Sequence, residues 1–306
     1  MEYQKKAIDF EIQADQLLER GLQADRAELI SRLQAVSYYR LAGYLHPFRV
    51  QDSTGVSTDQ FQKGTDLRII WDRYCFDRRL RVLTLDAIER IEVSLRTKLV
   101  FHFAHNYGPF GYCEEKNLPK LEVQEYLDWR GSLQEETRRS KEPFKKHFFE
   151  KYGDHHQNLP IWMLAELMSM GSLLTFFKGV PPELKRRVAE EYGFVDELLL
   201  SWLRTLNAAR NICAHHSRFW NRVLGYPPMM PNSRKFPEWH TEDKIRTDRS
   251  GIILMMCRFM LPKVSETSFW HQRVEALFEQ YPEIPVLSMG LPERWKEHPI
   301  WRQNHS

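Results

Sequence analysis

The run Leu203-Arg204-Thr205-Leu206-Asn207-Ala208-Ala209-Arg210-Asn211-Ile212-Cys213-Ala214-His215-His216-Ser217-Arg218-Phe219-Trp220-Asn221-Arg222 contains neither Gly nor Pro and reads as a helix continuing from about Asp196. On a wheel turning about 100° per residue, Leu199, Leu203, Leu206 and Cys213 form one apolar stripe. Arg204, Asn207, Asn211, His215 and Arg218 form a polar stripe beside it. Asn207, Asn211 and His215 follow at i, i+4 and i+8, so their side chains share a face. Arg210 breaks the pattern. It falls near the centre of the apolar stripe, where a guanidinium is costly unless a carboxylate, a phosphate or a subunit boundary receives it. A fixed cation, an amide and an imidazole within a short stretch of helix suit the handling of a phosphate. The same residues also read as an Arg paired with a buried Glu beside a surface His.

Outward from this run, helical patterns fill most of the chain. Residues 9–20 and 25–45 open it, with Asp25 placed as an N-cap and Pro47 as a stop. Residues 66–106 read as one long helix closed by Tyr107-Gly108-Pro109. Further helices are expected at 121–140, 143–152, 181–192 and 196–221, and 159–177 is strongly apolar. Residues 51–64, rich in Ser, Thr, Gly and Asp, read as a loop, and no period-2 run is long enough to argue for a sheet. The fold class is therefore all-α. The organisation expected is a helical domain over 1–225, with N-terminal helices in 1–50 and a core in 66–225. A Pro-rich linker follows over 226–246, then a C-terminal helical pair (247–261 and 268–280) and an irregular tail, together 247–306.

The long helix holds a second constellation. Leu85, Ile88, Ile91, Leu95 and Leu99 form a core stripe, with Glu92 inside it and Glu89 and Arg96 at its edge. Charges so placed need partners. Arg96 lies four residues after Glu92 and can pair with it within the helix; alternatively Glu92 or Glu89 receives Arg210, and the expectation here is that Glu92 orients Arg210 across the core. Arg96 and His102, five residues between them, set an Arg and a His on this helix as Arg210 and His215 are set on the later one, a candidate second motif.

The chain has 306 residues, 42% of them hydrophobic, enough to bury a sizeable core. No apolar run approaches the roughly 18 residues of a membrane span, and the opening segment is no signal peptide, so the protein is expected in the cytoplasm without a membrane partner. Cys75, Cys113, Cys213 and Cys257 show no Cys-x-x-Cys spacing and read as reduced thiols on helix faces. His102 and His105 lack acidic or Cys partners at ligand spacing, and no metal site and no cofactor are expected. The net charge of +3 is small, but its distribution is uneven. Basic residues gather at Arg78, Arg79 and Arg81, at Arg138, Arg139, Lys141, Lys145 and Lys146, and at Lys185, Arg186 and Arg187. Arg204, Arg218 and Arg222 join Arg210 around the opening run. Each cluster alone reads as a solvated helix face; together they match the footprint of a phosphate-backbone binder. Phe144-Lys145-Lys146-His147-Phe148-Phe149 interleaves aromatics with cations, as a stacking surface for bases or as core.

Arg210, Asn211, three further residues and His215 resemble the Arg-x4-6-His signature of the HEPN superfamily. Further stretches stand in order around it: Val36-Ser37-Tyr38-Tyr39-Arg40-Leu41-Ala42-Gly43-Tyr44-Leu45-His46-Pro47-Phe48, Phe76-Asp77-Arg78-Arg79-Leu80-Arg81, Ile88-Glu89-Arg90-Ile91-Glu92-Val93-Ser94-Leu95-Arg96, Pro160-Ile161-Trp162-Met163 and Ala214-His215-His216-Ser217-Arg218. In combination they resemble the Abi family of phage abortive-infection proteins, of the AbiD and AbiF type, over about residues 10–225. The resemblance implies a HEPN-like helical bundle with added N- and C-terminal helices. It also implies an endoribonuclease that cuts RNA without a metal by 2′-hydroxyl transesterification. Such enzymes work as homodimers that bring two motif helices into one cleft, and AbiF-type proteins are associated with small structured RNAs. Carried over, Arg210, Asn211 and His215 are the catalytic set, with His216 as an extra neighbour. The charge pattern and the stripe of the long helix, rather than the resemblance, add Glu92, Glu89 and Arg96 as expected supports and Arg204, Arg218, Arg222, Arg138, Arg139, Lys145 and Lys146 as expected RNA contacts. DNA, lacking the 2′-hydroxyl, is not an expected substrate. The alternative is a non-catalytic module that holds a cognate small structured RNA or is silenced by it.

Overall fold

The computed structural model describes residues 2, 4, 6–265 and 268–302, so the last four residues of the expected irregular tail lie outside the described ones. The elements, in chain order, are α1 (Phe10–Glu19), α2 (Arg26–Val36), α3 (Tyr38–Leu45), β1 (Arg49–Gln51), β2 (Ser57–Phe61), α4 (Leu67–Tyr107), α5 (Val123–Arg139), α6 (Pro143–Tyr152), α7 (Ile161–Leu164), α8 (Met170–Gly179), α9 (Pro182–Glu190), α10 (Asp196–Ala214), α11 (Gly251–Met260), α12 (Trp270–Gln280) and α13 (Pro299–Arg302). Among the described residues the fold is all-α apart from one hairpin. Two compact units divide the chain, Met1–Arg81 with Val274–Pro285 and Val82–Arg273 with Val286–Ser306. The divisions fall inside α4 and α12 rather than at residues 225 and 246. Among the described residues no helix is long and apolar enough to cross a membrane.

In the first unit Asp25 caps α2 as expected, its carboxylate accepting the Glu28 N–H at 2.8 Å. The helix expected over 25–45 is two helices, because Ser37 takes φ 63° and re-aims the chain between Val36 and Tyr38. The loop expected over 51–64 contains a small antiparallel hairpin pairing Arg49 with Phe61 and Gln51 with Ser57. Asp52 closes its turn by accepting from Thr54 N–H (2.8 Å) and Val56 N–H (3.0 Å). Strands this short leave no alternation to read.

The start of α4 buries Leu67, Ile70, Phe76 and Leu80, with Phe76 edge-on to Phe278. Asp77, fully buried one turn before Arg81, accepts from Tyr44 Oη and from Arg81 Nη1, each at 2.5 Å. Arg81 is only 4% exposed, so it leaves the basic cluster read from sequence and belongs to a core ion pair.

In the second unit the core stripe of α4 is buried at Ile88, Ile91, Leu95 and Leu99, with Leu85 half-buried. The apolar stretch over 159–177 is interrupted: α7 and a 3-10 turn (Ala165–Leu167) precede Ser169, whose Oγ accepts the Ser172 N–H at 3.2 Å and caps α8. α10 packs on α8, α9 and α11, and α11 is buried along its whole length. A Cβ on Gly251, at the start of α11, would lie 2.6 Å from the Met289 carbonyl oxygen, so only glycine permits this approach. All four cysteines are free thiols. The Pro-rich stretch after residue 225 is held on α10, where Trp202 Nε1 donates to Met229 O (2.9 Å), Thr205 Oγ1 to Tyr226 O (2.9 Å) and Met229 N–H to Ser201 Oγ (2.8 Å).

Candidate functional site

α10 points Leu199, Leu203, Leu206 and Cys213 into the core, as its apolar stripe requires, and carries Arg210 and Asn211 on its last turns. The helix ends at Ala214 rather than near residue 221. His215 is the C-cap, its N–H still bonded to Asn211 O at 3.0 Å. His216 takes φ 57°, and the N–H groups of His216 and Ser217 reach Cys213 O (3.1 Å) and Ile212 O (3.0 Å). These paired bonds are a Schellman closure with histidine in the left-handed position that glycine usually takes. Beyond it Phe219 and Trp220 are buried, Ser250 Oγ donates to Trp220 O, and Arg249 Nη1 donates to Asn221 O at 3.0 Å. The chain carrying His215 is thus fixed on one side by the helix and on the other by two buried aromatics.

Asn211, His215 and His216 are exposed and Arg210 is half-buried. Arg210 Nη1 lies 3.5 Å from Asn211 Oδ1, and among the described residues it forms no ion pair with a carboxylate. The expected bond from Arg210 to Glu92 is not made. Glu92 instead pairs with Arg96 at 2.8 Å, because a partner one turn along the same helix reaches it without crossing between helices. Arg96 Nη2 also donates to Met168 O (2.9 Å), a carbonyl left open by the break before α8, and Nη1 lies 3.8 Å from Glu166. Burial pushes the Glu92 carboxyl above the usual carboxylate range; Arg96 and then Arg210 oppose this, and Glu89 adds to it. Arg210 therefore acts on Glu92 through space. Glu89 itself is exposed.

Arg96 and His102 do not converge on one site. While Arg96 serves Glu92 and Met168, His102 Nε2 is 2.6 Å from Glu191 Oε1, which also receives Lys98 at 3.3 Å from its other oxygen. Burial acts to raise the Glu191 carboxyl, but the hydrogen bonds from His102 and Lys98 outweigh it and hold the group low.

The expected RNA contacts differ in their freedom. Arg204 and Arg222 are exposed and Arg218 is half-buried. Arg138 and Arg139 share Glu135, with Arg138 bidentate at 2.7 Å, which holds that carboxyl down at about 2. Lys146 sits 3.6 Å from Glu150, and Lys145 Nζ caps the end of α5 by donating to Arg138 O (3.1 Å) and Ser140 O (3.0 Å). Sequence reasoning missed the partners of Arg96 beyond its own helix, since Met168 and Glu166 lie some seventy residues away and carry no local signal. It also missed Asp77 with Arg81, although their i, i+4 spacing in a core-facing helix was a usable one.

No curated protein and no solved structure matches the chain. The family model described as Abi-like protein matches residues 31–221, a segment that takes in the Ser37 break, the Asp77–Arg81 pair, the Glu92–Arg96 pair and the closure of α10 at His215. With well over half of its length matched, the chain belongs to the Abi-like protein family.

Proposed function

We propose that this Abi-like protein acts in abortive infection as a metal-independent endoribonuclease of the HEPN type. The observation that carries the reading is the end of α10, where a half-buried Arg210, which among the described residues forms no carboxylate ion pair, stands beside exposed Asn211 and His215. A guanidinium in that position matches two oxygens of a phosphate with its planar fork and stabilises the charge that develops there. One His215 imidazole takes the proton from a ribose 2′-hydroxyl as its oxygen attacks phosphorus. The bond from phosphorus to the 5′-oxygen breaks, and a His215 imidazolium from a second copy gives its proton to that oxygen. The products are a 2′,3′-cyclic phosphate and a 5′-hydroxyl. Asn211 orients the phosphate, and Arg204, Arg218 and Arg222 extend the backbone track.

The test is incubation of RNA-stripped wild type and His215→Ala with end-labelled single-stranded RNA in excess EDTA. Cleavage by wild type alone, leaving cyclic phosphate ends, is expected, and DNA of the same sequence stays intact. Cleavage that survives His215→Ala, or that needs added metal, overturns the mechanism.

A further inference from the structure

α5 buries Tyr126, Trp129 and Leu133, and beside that apolar face it carries a mostly polar, partly exposed one. Arg130, Leu133, Gln134, Thr137 and Arg138 fall at i, i+3, i+4, i+7 and i+8 and line a cavity of about 340 Å³. Lys145 and Phe149 of α6 form its opposite wall, one helical turn apart, and Gln157 and Asn158 close it from the loop before α7. The volume is at the lower end of the roughly 300–1,000 Å³ usual for small-ligand sites. Three of the lining residues are cations and none is a carboxylate; Glu135 beside the cavity pairs with Arg138, so the excess positive charge that favours an anion comes from Arg130 and Lys145.

The groups are arranged with some rigidity. Arg130 lies over the buried Tyr112 ring at 4.7 Å and donates to Asn158 Oδ1 at 3.3 Å, while Tyr112 Oη donates to Leu159 O at 2.7 Å. Glu135 ties Nε and Nη2 of Arg138. Phe149 is half-exposed and offers an aromatic face. Gln134 and Gln157 add carboxamides, each both donor and acceptor, as a base edge requires. A simple inorganic anion would use the cations and leave the aromatic ring and the amides idle.

We propose that this cavity holds one unpaired nucleotide, its base on Phe149 with an edge at Gln134 and Gln157, and its phosphate at Arg138 and Lys145. The inference rests on the RNA-binding part of the proposed function, and adds to it a base-reading subsite that the α10 motif does not contain.

The experiment measures binding by the full chain of three probes: a single-stranded RNA oligonucleotide, an abasic ribose-phosphate strand of the same length, and free nucleoside monophosphates. Wild type is compared with Phe149→Ala, Phe149→Leu and Gln157→Ala. Loss of a base stack corresponds to an affinity drop of about 5- to 150-fold. That drop is expected for RNA in both Phe149 variants, with a smaller one in Gln157→Ala and none for the abasic strand. Phe149→Leu keeps the apolar bulk, so a loss there with an unchanged circular dichroism spectrum is not a folding defect. Monophosphates that bind wild type and not the Phe149 variants identify a free nucleotide as a sufficient ligand; RNA binding without monophosphate binding identifies a strand-borne one. Equal losses on RNA and abasic strand, or unchanged RNA affinity in both Phe149 variants, overturn the subsite while leaving the nuclease reading to the His215 assay. Wild type that binds none of the probes overturns both.

Discussion

His216 occupies a left-handed backbone position that costs a side chain with a Cβ about 1–2 kcal/mol relative to glycine. Histidine is among the residues that tolerate it, and a β-branched residue is not. Replacing His216 by Gly and by Val removes the imidazole in both cases and separates backbone strain from side-chain contacts. The Val variant is expected to be less stable than the Gly variant by about 1–2 kcal/mol in denaturant unfolding. Equal stabilities would mean that the closure relaxes. Asp77 is a second decisive residue, because it sits fully buried between Arg81 and Tyr44. Asp77→Ala leaves a buried guanidinium without its carboxylate and is expected to destabilise by about 3–5 kcal/mol, whereas Tyr44→Phe removes one hydrogen-bond donor and costs about 1–3 kcal/mol. A Tyr44→Phe variant less stable than Asp77→Ala would contradict this ranking.

At the scale of elements, the closure of α10 sets where the imidazole stands. A helix continuing to residue 221 would carry His215 and Arg218 on one face of a rod. The observed end at Ala214 puts His215 at a corner, anchored by Phe219 and Trp220. The C-terminal elements hold a pH-sensitive contact. His298 is buried next to α13, with Nε2 3.1 Å from Thr241 Oγ1 and Nδ1 accepting the Ile300 N–H at 3.3 Å. Burial lowers its pKa, with Asp243 opposing. Folding therefore favours the neutral ring: its contribution is present above the unfolded histidine value of about 6.5 and is lost as pH falls through the lower folded value. Thermal unfolding of wild type and His298→Gln between about pH 7 and about pH 5 is expected to converge as the pH drops. A Tm difference that stays constant over that range would rule the linkage out.

At the scale of the whole molecule, the proposed chemistry needs an acid and a base, and each copy supplies His215 for only one role. Wild type mixed with His215→Ala and allowed to exchange subunits is expected to lose cleavage as the square of the wild-type fraction. A linear loss would show that one chain is sufficient. The chain's modest net charge of +3 does not identify a nucleic-acid partner. Several basic residues are tied to carboxylates, as Arg138 and Arg139 are to Glu135, and Arg81 is in the core. Exposed Arg204 and Arg222 carry more of the expected long-range attraction than a count of cations suggests.

The sequence by itself determined the all-α class, the long helix α4, the Asp25 cap and the buried stripes of α4 and α10, since these rest on periodicity and local hydrogen bonding within a few residues. The resemblance to the Abi family rested on quoted motifs rather than on periodicity, and the match over residues 31–221 bears the family out. The tertiary structure decided the rest. Arg96 and Arg210 lie on different helices, both able in sequence terms to pair with Glu92; the i, i+4 spacing within α4 holds Arg96 at 2.8 Å, and packing decided that Arg210 acts only at longer range. It also ended α10 at Ala214, by burying Phe219 and Trp220 against residues some thirty positions onward, and it brought Arg130, Phe149 and Gln157 around one cavity. Such contacts depend on which faces meet, and no local pattern encodes that choice.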